Sequence, residues 1–308
     1  FMHCGFVAIA PHTGEVKAWV GDINFQSWKY DKVLSKRQPG STFKLFVYTE
    51  AMNQGLSPCD LRVDENIPWE VEENGEKKLW MPHNANGGAT LDTMSLKMAF
   101  AQSVNTIAAN IAHEVGIHQI ATTAHRMGIQ TKLEETPALS LGASDVSLLE
   151  LVSAYGTVVN DGEAIQPILI TRVENKDGKV IYQQEAEATQ AIPYASAYLM
   201  QQMLRGGLTC PKGTSQALWR FRIFDKGTEF GGKTGTSSNH SDAWFVGISP
   251  NLVGGAWVGG EYRSIHFRTG ELGQGSRTAL PVFGYFMEKV LANPKSERLQ
   301  QFLSGSLK

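Results

Sequence analysis

Cysteine is scarce in this chain. Cys4, Cys59 and Cys210 are widely spaced and odd in number. They form neither a zinc-binding pattern nor a disulfide framework, and spacing does not single out a pair for one bridge. An excess of either charge is also missing: 28 Lys and Arg stand against 30 Asp and Glu, for a net charge of -2. Without a dense basic run there is no electrostatic footprint for nucleic acid. No apolar run approaches the ~20 residues of a membrane span, and no signal peptide leads the chain. Internal repeats and low-complexity tracts are absent too. What is present is a globular composition, 42% hydrophobic over 308 residues. That is enough for one large domain or two small ones, and it argues against disorder. The chain opens on Phe1-Met2 and enters a strand pattern almost at once, so it reads as a piece of a longer protein.

The pattern along the chain predicts an α+β fold. Phe6–Ala10 and Glu15–Val20 read as a β-hairpin across Pro11-His12-Thr13-Gly14. A helix is expected from Ser41 to about Asn53, stopped by Gly55. Residues 56–90 are rich in Pro, Asn-Gly and Gly-Gly, and read as an irregular excursion with a small hairpin near Trp69 to Trp80. Helical spacing follows at Leu91–Ala101, Thr106–Val115, His118–Met127 and Ser147–Val159, a helical subdomain of roughly residues 91–162. Ile165–Val173 and Lys179–Tyr182 suggest a hairpin, and Tyr194–Leu204 a helix. Gly232–Thr236, Ala243–Ile248 and Leu252–Val258 read as strands, and Arg277–Leu291 as a closing helix. The domain is expected to span residues 1–292, with 293–308 a polar, mobile tail. No crossover helix of the βαβ type separates the early strands from one another or the late ones, so one antiparallel sheet with helices packed on it is the economical arrangement.

Three short stretches carry chemistry. In Arg37-Gln-Pro-Gly-Ser-Thr-Phe-Lys44, Pro39 and Gly40 break what precedes them and Ser41 suits a helix start. Lys44 is one turn on, so a helix puts hydroxyl and amine on one face, a nucleophile beside a base. The positive end of the helix dipole would also favour an alkoxide at Ser41. Ser103-Val104-Asn105 lies in a turn between two expected helices and can present a hydroxyl and an amide to a cleft. Gly232-Lys-Thr-Gly-Thr236 opens a strand in which Lys233 and Gly235 share one face, Thr234 and Thr236 the other. Gly235 lets another backbone come close, and an ammonium with hydroxyls on a strand edge suits an extended peptide ending in a carboxylate. It is not a P-loop, because the glycine spacing fails and a strand follows. Each stretch alone is a common local device: a capping serine with a surface lysine, cap residues at helix ends, a lysine near a Gly-rich turn. A second Ser-x-Asn even occurs at Ser237–Asn239.

Together and in this order they are the set shared by penicillin-binding proteins and class A β-lactamases. The chain resembles the transpeptidase domain of a class A, bifunctional penicillin-binding protein. Thr13-Gly14-Glu15-Val16, Trp80-x-Pro82-x-Asn84, Leu141-Gly142-Ala143, Asp242-Ala243-Trp244-Phe245-Val246-Gly247 and Trp257-Val258-Gly259 add to the likeness. Leu45 in place of a usual proline, Gly213-Thr214-Ser215 and a long Cys210–Phe230 loop depart from it. The resemblance implies a β-lactamase/transpeptidase-like fold and a D,D-transpeptidase that cross-links peptidoglycan stem peptides ending in D-Ala-D-Ala. It implies Ser41 as nucleophile, Lys44 as its neutral base, Ser103 as proton relay and Asn105 as a support for Lys44 and substrate. Cationic Lys233, with Thr234, Gly235 and Thr236, would bind the terminal carboxylate, and the N–H groups of Ser41 and Thr236 would form the oxyanion hole. It further implies acylation by β-lactam antibiotics, no metal or organic cofactor, and a site on the outer face of the bacterial cytoplasmic membrane. A glycosyltransferase domain and membrane anchor are expected in the parent protein. A β-lactamase, a D,D-carboxypeptidase and a non-turning-over β-lactam sensor share the first step and stand as alternatives.

Overall fold

Five strands carry the fold: β1 (His3–Ile9), β2 (Val16–Val20), β3 (Gly231–Thr236), β4 (Asp242–Ile248) and β5 (Val253–Gly259). The computed structural model describes the chain except residues 74, 86, 226, 294–302 and 304. In the sheet the order is β3-β4-β5-β1-β2, and every neighbour is antiparallel. The expected hairpin and the three late strands thus join in one sheet, with His3 opposite Gly259 and Ile9 opposite Val253.

Alternation along the strands supplies two cores. Val7, Ile9, Trp244, Val246, Val253 and Trp257 face one, Phe6, Ala8, Phe245 and Ala256 the other. The first core holds the main helical block: α1 (Lys44–Asn53), α2 (Leu96–Gln102), α3 (Asn105–Val115), α4 (Ile117–Arg126), α5 (Leu148–Val159) and α6 (Tyr194–Thr209). The second is closed by α7 (Ala279–Ala292), whose Phe283 packs on Phe245. Because both faces are covered, β4 is buried along its whole length. Helix α1 is buried on every side from Lys44 to Met52. Each large apolar side chain in it, such as Phe46, adds roughly 1.5–3 kcal/mol by burial. A lysine held at the start of such a helix is therefore an anomaly of the core.

The local expectations hold where the signal is local. Ser147 caps α5 in a capping box with Glu150, and Trp69–Glu73 pairs with Glu76–Trp80. The expected turn residue Asn74 lies outside the described residues. The helix expected from Leu91 begins instead at Leu96, with Ser95 Oγ accepting from Met98 N. Thr93–Ser95 before it pairs with Leu61–Val63, so strand pairing claims those residues. Ile165 and Val173 also belong to different ladders: Glu163–Ile165 pairs with Ala188–Gln190, Arg172–Glu174 with Val180–Gln183. Pro167, which cannot donate to a ladder, stands between them. Much of the tail expected to be mobile lies outside the described residues. Its last residues are docked: Leu303 and Leu307 are buried and Leu307 N donates to Glu229 Oε2 at 2.8 Å. The three cysteines are unpaired. Among the described residues no helix is long and apolar enough to cross a membrane, and no cluster of metal-binding side chains occurs.

Candidate active site

The Ser41 segment winds as a 3-10 turn, Gly40–Phe43, and passes straight into α1. Ser41 stands inside this turn instead of capping the helix, and neither helix start receives a side-chain cap. The reason lies in what holds the turn. Gly40 has φ +53, and a Cβ there would stand 2.5 Å from Thr236 O. A Cβ on Gly235 would overlap Pro39 O and come within 2.9 Å of Thr42 Cγ2. Turn and strand therefore meet backbone to backbone, which only glycine permits at both points. The close approach anticipated at Gly235 is realised, and it sets half-buried Ser41 beside the end of β3. Tyr155 Oη donates to Thr42 O at 2.9 Å, and Trp244 Nε1 to Gln38 O at 2.7 Å, fixing the turn from α5 and β4.

Lys44 is fully buried one turn after Ser41. Its Nζ donates to Ser103 O at 2.7 Å, to Asn105 Oδ1 at 2.6 Å and to Ser103 Oγ at 3.3 Å. Among the described residues Lys44 Nζ makes no hydrogen bond to Ser41 Oγ; these three oxygens take its donors instead. Ser103 ends α2 in the left-handed conformation, φ 61 and ψ 39. A non-glycine residue there stores backbone strain of about 1 kcal/mol or more, and such strain gathers at functional sites. Lys233, also buried, donates from Nζ to Ser103 Oγ at 2.8 Å and to Thr234 O at 3.0 Å, with its cation over the Phe100 ring. Ser103 Oγ is thus shared by two lysines, and its own proton remains free to be given away.

Burial, and then the charge of Lys233, hold Lys44 well below the ordinary lysine value. Burial alone brings Lys233 down to about 7. Burial therefore disfavours the cation expected at Lys233 without any charged partner to offset it among its hydrogen bonds. Thr234 Oγ1 donates to Thr214 Oγ1 at 2.8 Å, and Thr236 Oγ1 accepts from Gly275 N at 3.1 Å. Sequence reasoning named neither Thr214 nor Gly275 as part of the site, although Thr214 lies in the Gly213-Thr214-Ser215 stretch noted as a departure from the family's pattern. Asn105 donates from Nδ2 to His83 O at 2.8 Å and from its backbone N–H to Asn84 Oδ1 at 2.9 Å. No carboxylate is a hydrogen-bond partner of Lys44, Ser103, Asn105 or Lys233 among the described residues. Glu134 and Glu135 are exposed, and Glu135 pairs with His118.

The family model for the penicillin binding protein transpeptidase domain matches residues 4–259. The chain is 32% identical to penicillin-binding protein 2D of Bacillus subtilis, over 83% of this chain and 37% of that protein. It is 31% identical to penicillin-binding protein 1A of Vibrio cholerae, over 93% of this chain and 39% of that protein. It therefore spans well under half the length of these relatives. Penicillin-binding protein 1A from Haemophilus influenzae superposes with a TM-score of 0.84 at 26% identity, covering 95% of this chain and 48% of that one. The PonA1 protein from Mycobacterium tuberculosis, solved in complex with penicillin V, shares the fold with a TM-score of 0.78 at 23% identity, over 95% of this chain and 78% of that one.

Proposed function

Because the chain belongs to the penicillin-binding protein transpeptidase domain family, we propose that it is a serine D,D-transpeptidase acting on peptidoglycan stem peptides. The observation that carries this reading is the sharing of Ser103 Oγ by two buried, pKa-lowered lysines next to the Ser41 turn. Ser41 Oγ attacks the carbonyl of the D-Ala-D-Ala bond while neutral Lys44 takes its proton. Substrate packing over the turn would bring Ser41 Oγ and Lys44 Nζ into line for this transfer. The oxyanion is held by the N–H groups of Ser41 and Thr236, a reading supported by the close backbone approach of Gly40 to Thr236. Ser103 passes a proton to the leaving D-alanine nitrogen and is reprotonated from the lysines. The C–N bond breaks, D-alanine leaves, and an ester remains on Ser41. The amine of a neighbouring stem then attacks the ester, forms the cross-link and frees the serine. With water as acceptor the same cycle is a D,D-carboxypeptidase side activity.

Lys233, Thr234, Gly235 and Thr236 receive the terminal carboxylate. That anion restores the charge which burial weakens at Lys233. β-Lactams end in a like carboxylate beside a strained amide, and acylate Ser41 by the same route. The chemistry calls on no metal or organic cofactor. The relatives named penicillin-binding protein 1A support reading the parent as a class A, glycosyltransferase/transpeptidase protein of the cell envelope, its transpeptidase on the outer side of the cytoplasmic membrane. Intact-mass spectrometry after exposure to penicillin tests this reading. One penicilloyl adduct that maps to Ser41 is expected; no adduct, or one elsewhere, overturns it.

A further inference from the structure

A buried carboxylate stands behind the site. Asp64 is 2% exposed and lies outside every motif named above. Thr90 donates to its Oδ2 from N at 3.0 Å and from Oγ1 at 2.9 Å, and Thr106 Oγ1 donates to its Oδ1. Asn84 Nδ2 donates to both carboxylate oxygens, at 3.0 and 3.1 Å. Burial pushes the carboxyl up, but these bonds outweigh it and hold Asp64 below its ordinary value. So engaged, Asn84 has one orientation: Nδ2 toward Asp64 and Oδ1 toward α3. That oxygen accepts from Asn105 N at 2.9 Å and from Thr106 N at 3.3 Å. Helix α3 has Val104 at its cap position and no side-chain cap of its own. Asn84 thus supplies the cap from another segment and ties down two orphan N–H groups. One residue further along the network, Asn105 Oδ1 accepts from Lys44.

We propose that Asp64 and Asn84 are positioning residues for the acylation reaction, which lock the Ser103–Asn105 turn against Lys44 and so keep the base dry and in place. The inference rests on the reading of Lys44 as the base. The polarity of the chain is what matters. A carboxylate at 64 can only accept, so the amide at 84 must donate to it and accept from α3. Reversing the amide would put its donors against the N–H groups of Asn105 and Thr106.

The test exploits that polarity in the intact chain. Asn84→Asp keeps an acceptor for α3 but sets two carboxylates face to face. The Ser103–Asn105 turn then loosens and water reaches Lys44. The acylation rate constant with a fluorescent penicillin is expected to fall on the order of 10–100-fold, the scale of a small misplacement of reacting groups. Burial is the largest cause of the lowered Lys44 value, so hydration raises it, and the acid limb of the acylation profile moves to higher pH. Lys233 of β3 is the charged group facing Lys44, and it is unchanged in every variant. The double variant Asp64→Asn/Asn84→Asp restores a donor opposite an acceptor and is expected to recover about tenfold, a coupling that independent structural damage does not produce. Asn84→Ser, a shorter acceptor without the second charge, serves the same comparison where Asn84→Asp does not fold.

The Lys44 titration is also read in the free protein by carbon NMR of lysine labelled at Cε, so the inference is judged even if penicillin never reacts at Ser41. Folded variants with the rate, the acid limb and the titration of the unmodified chain overturn the inference. So does a loss that the double variant fails to relieve.

Discussion

Lys233 Nζ lies 2.8 Å from Ser103 Oγ, across 130 residues of sequence. The same oxygen is 3.3 Å from Lys44 Nζ, so one small hydroxyl joins two buried amines. Two such amines side by side cannot both be cations at ordinary cost, and the charge of Lys233 adds to burial in lowering the proton affinity of Lys44. Under the proposed mechanism this pairing would let Lys44 serve as the base without help from a carboxylate.

Ser41→Ala is expected to abolish covalent labelling by penicillin with almost no change in stability. The hydroxyl caps neither helix start, so the loss in unfolding free energy should stay within about 0.5 kcal/mol. Labelling of the variant at the rate of the unmodified chain would remove Ser41 from the mechanism.

The two lysines should respond differently to arginine. Arginine stays charged in proteins, so Lys44→Arg should lose acylation almost entirely. Lys233→Arg retains a cation for the substrate carboxylate and should keep measurable activity, although its full burial makes the larger side chain costly. Equal acylation rates for the two variants would refute this division of roles.

Lys233 also gives stability a pH dependence of known sign. Its folded value is about 7 against an ordinary 10.5, so between these the unfolded chain binds more protons. Stability therefore rises with pH across that window, by on the order of 1 kcal/mol per pH unit at most for one group. Below about pH 6 the folded protein carries the full penalty of a buried cation. From pH 7 to pH 9 the melting temperature of the unmodified chain should rise relative to that of Lys233→Met. Parallel curves would contradict the lowered value.

Gly235→Ala tests the meeting of turn and strand. The added Cβ would overlap Pro39 O and press on Thr42 Cγ2. Overpacking of this kind costs about 1–3 kcal/mol. The turn carrying Ser41 would have to move, so acylation should slow even in molecules that remain folded. A crystal structure of the variant with an unmoved turn would contradict this account.

The penicilloyl adduct should last many minutes or longer. A class A β-lactamase clears its ester with a glutamate that activates water. Here Glu134 and Glu135 are exposed, and no carboxylate bonds to Lys44, Ser103, Asn105 or Lys233 among the described residues. Timed mass spectra after removal of free penicillin give the lifetime. Regeneration of free protein within seconds would mark a β-lactam hydrolase.

The motifs were legible because each is short and its geometry is set by neighbours in sequence. Ser41 and Lys44 are one turn apart in any helical winding, and Ser103 had to sit in a turn. The α5 cap and the Trp69–Trp80 hairpin were readable for the same reason. What the sequence hid depends on partners far away. Lys44 turned from Ser41 to the Ser103–Asn105 turn because three oxygens await it there. Lys233 has its proton affinity lowered by a burial that no local pattern announces. Asp64 sits in a stretch that reads only as irregular, and its importance comes from Asn84 and Thr106, 20 and 42 residues on. Thr93–Ser95 left a helical pattern because a distant strand was there to pair with.

The sheet order also bears on how the domain is made. β1 is complete by residue 9, but its neighbour β5 begins at Val253. At a synthesis rate of roughly 5–20 residues per second, β1 waits on the order of 10–50 s before that partner exists. During that interval the hairpin β1–β2 has apolar side chains on both faces and two unpaired edges, one of which β5 later covers. Pairing so remote in sequence makes for slow folding. Refolding from denaturant should accordingly be slow and improve at low protein concentration, with the β1–β5 amides among the last to gain protection from hydrogen exchange.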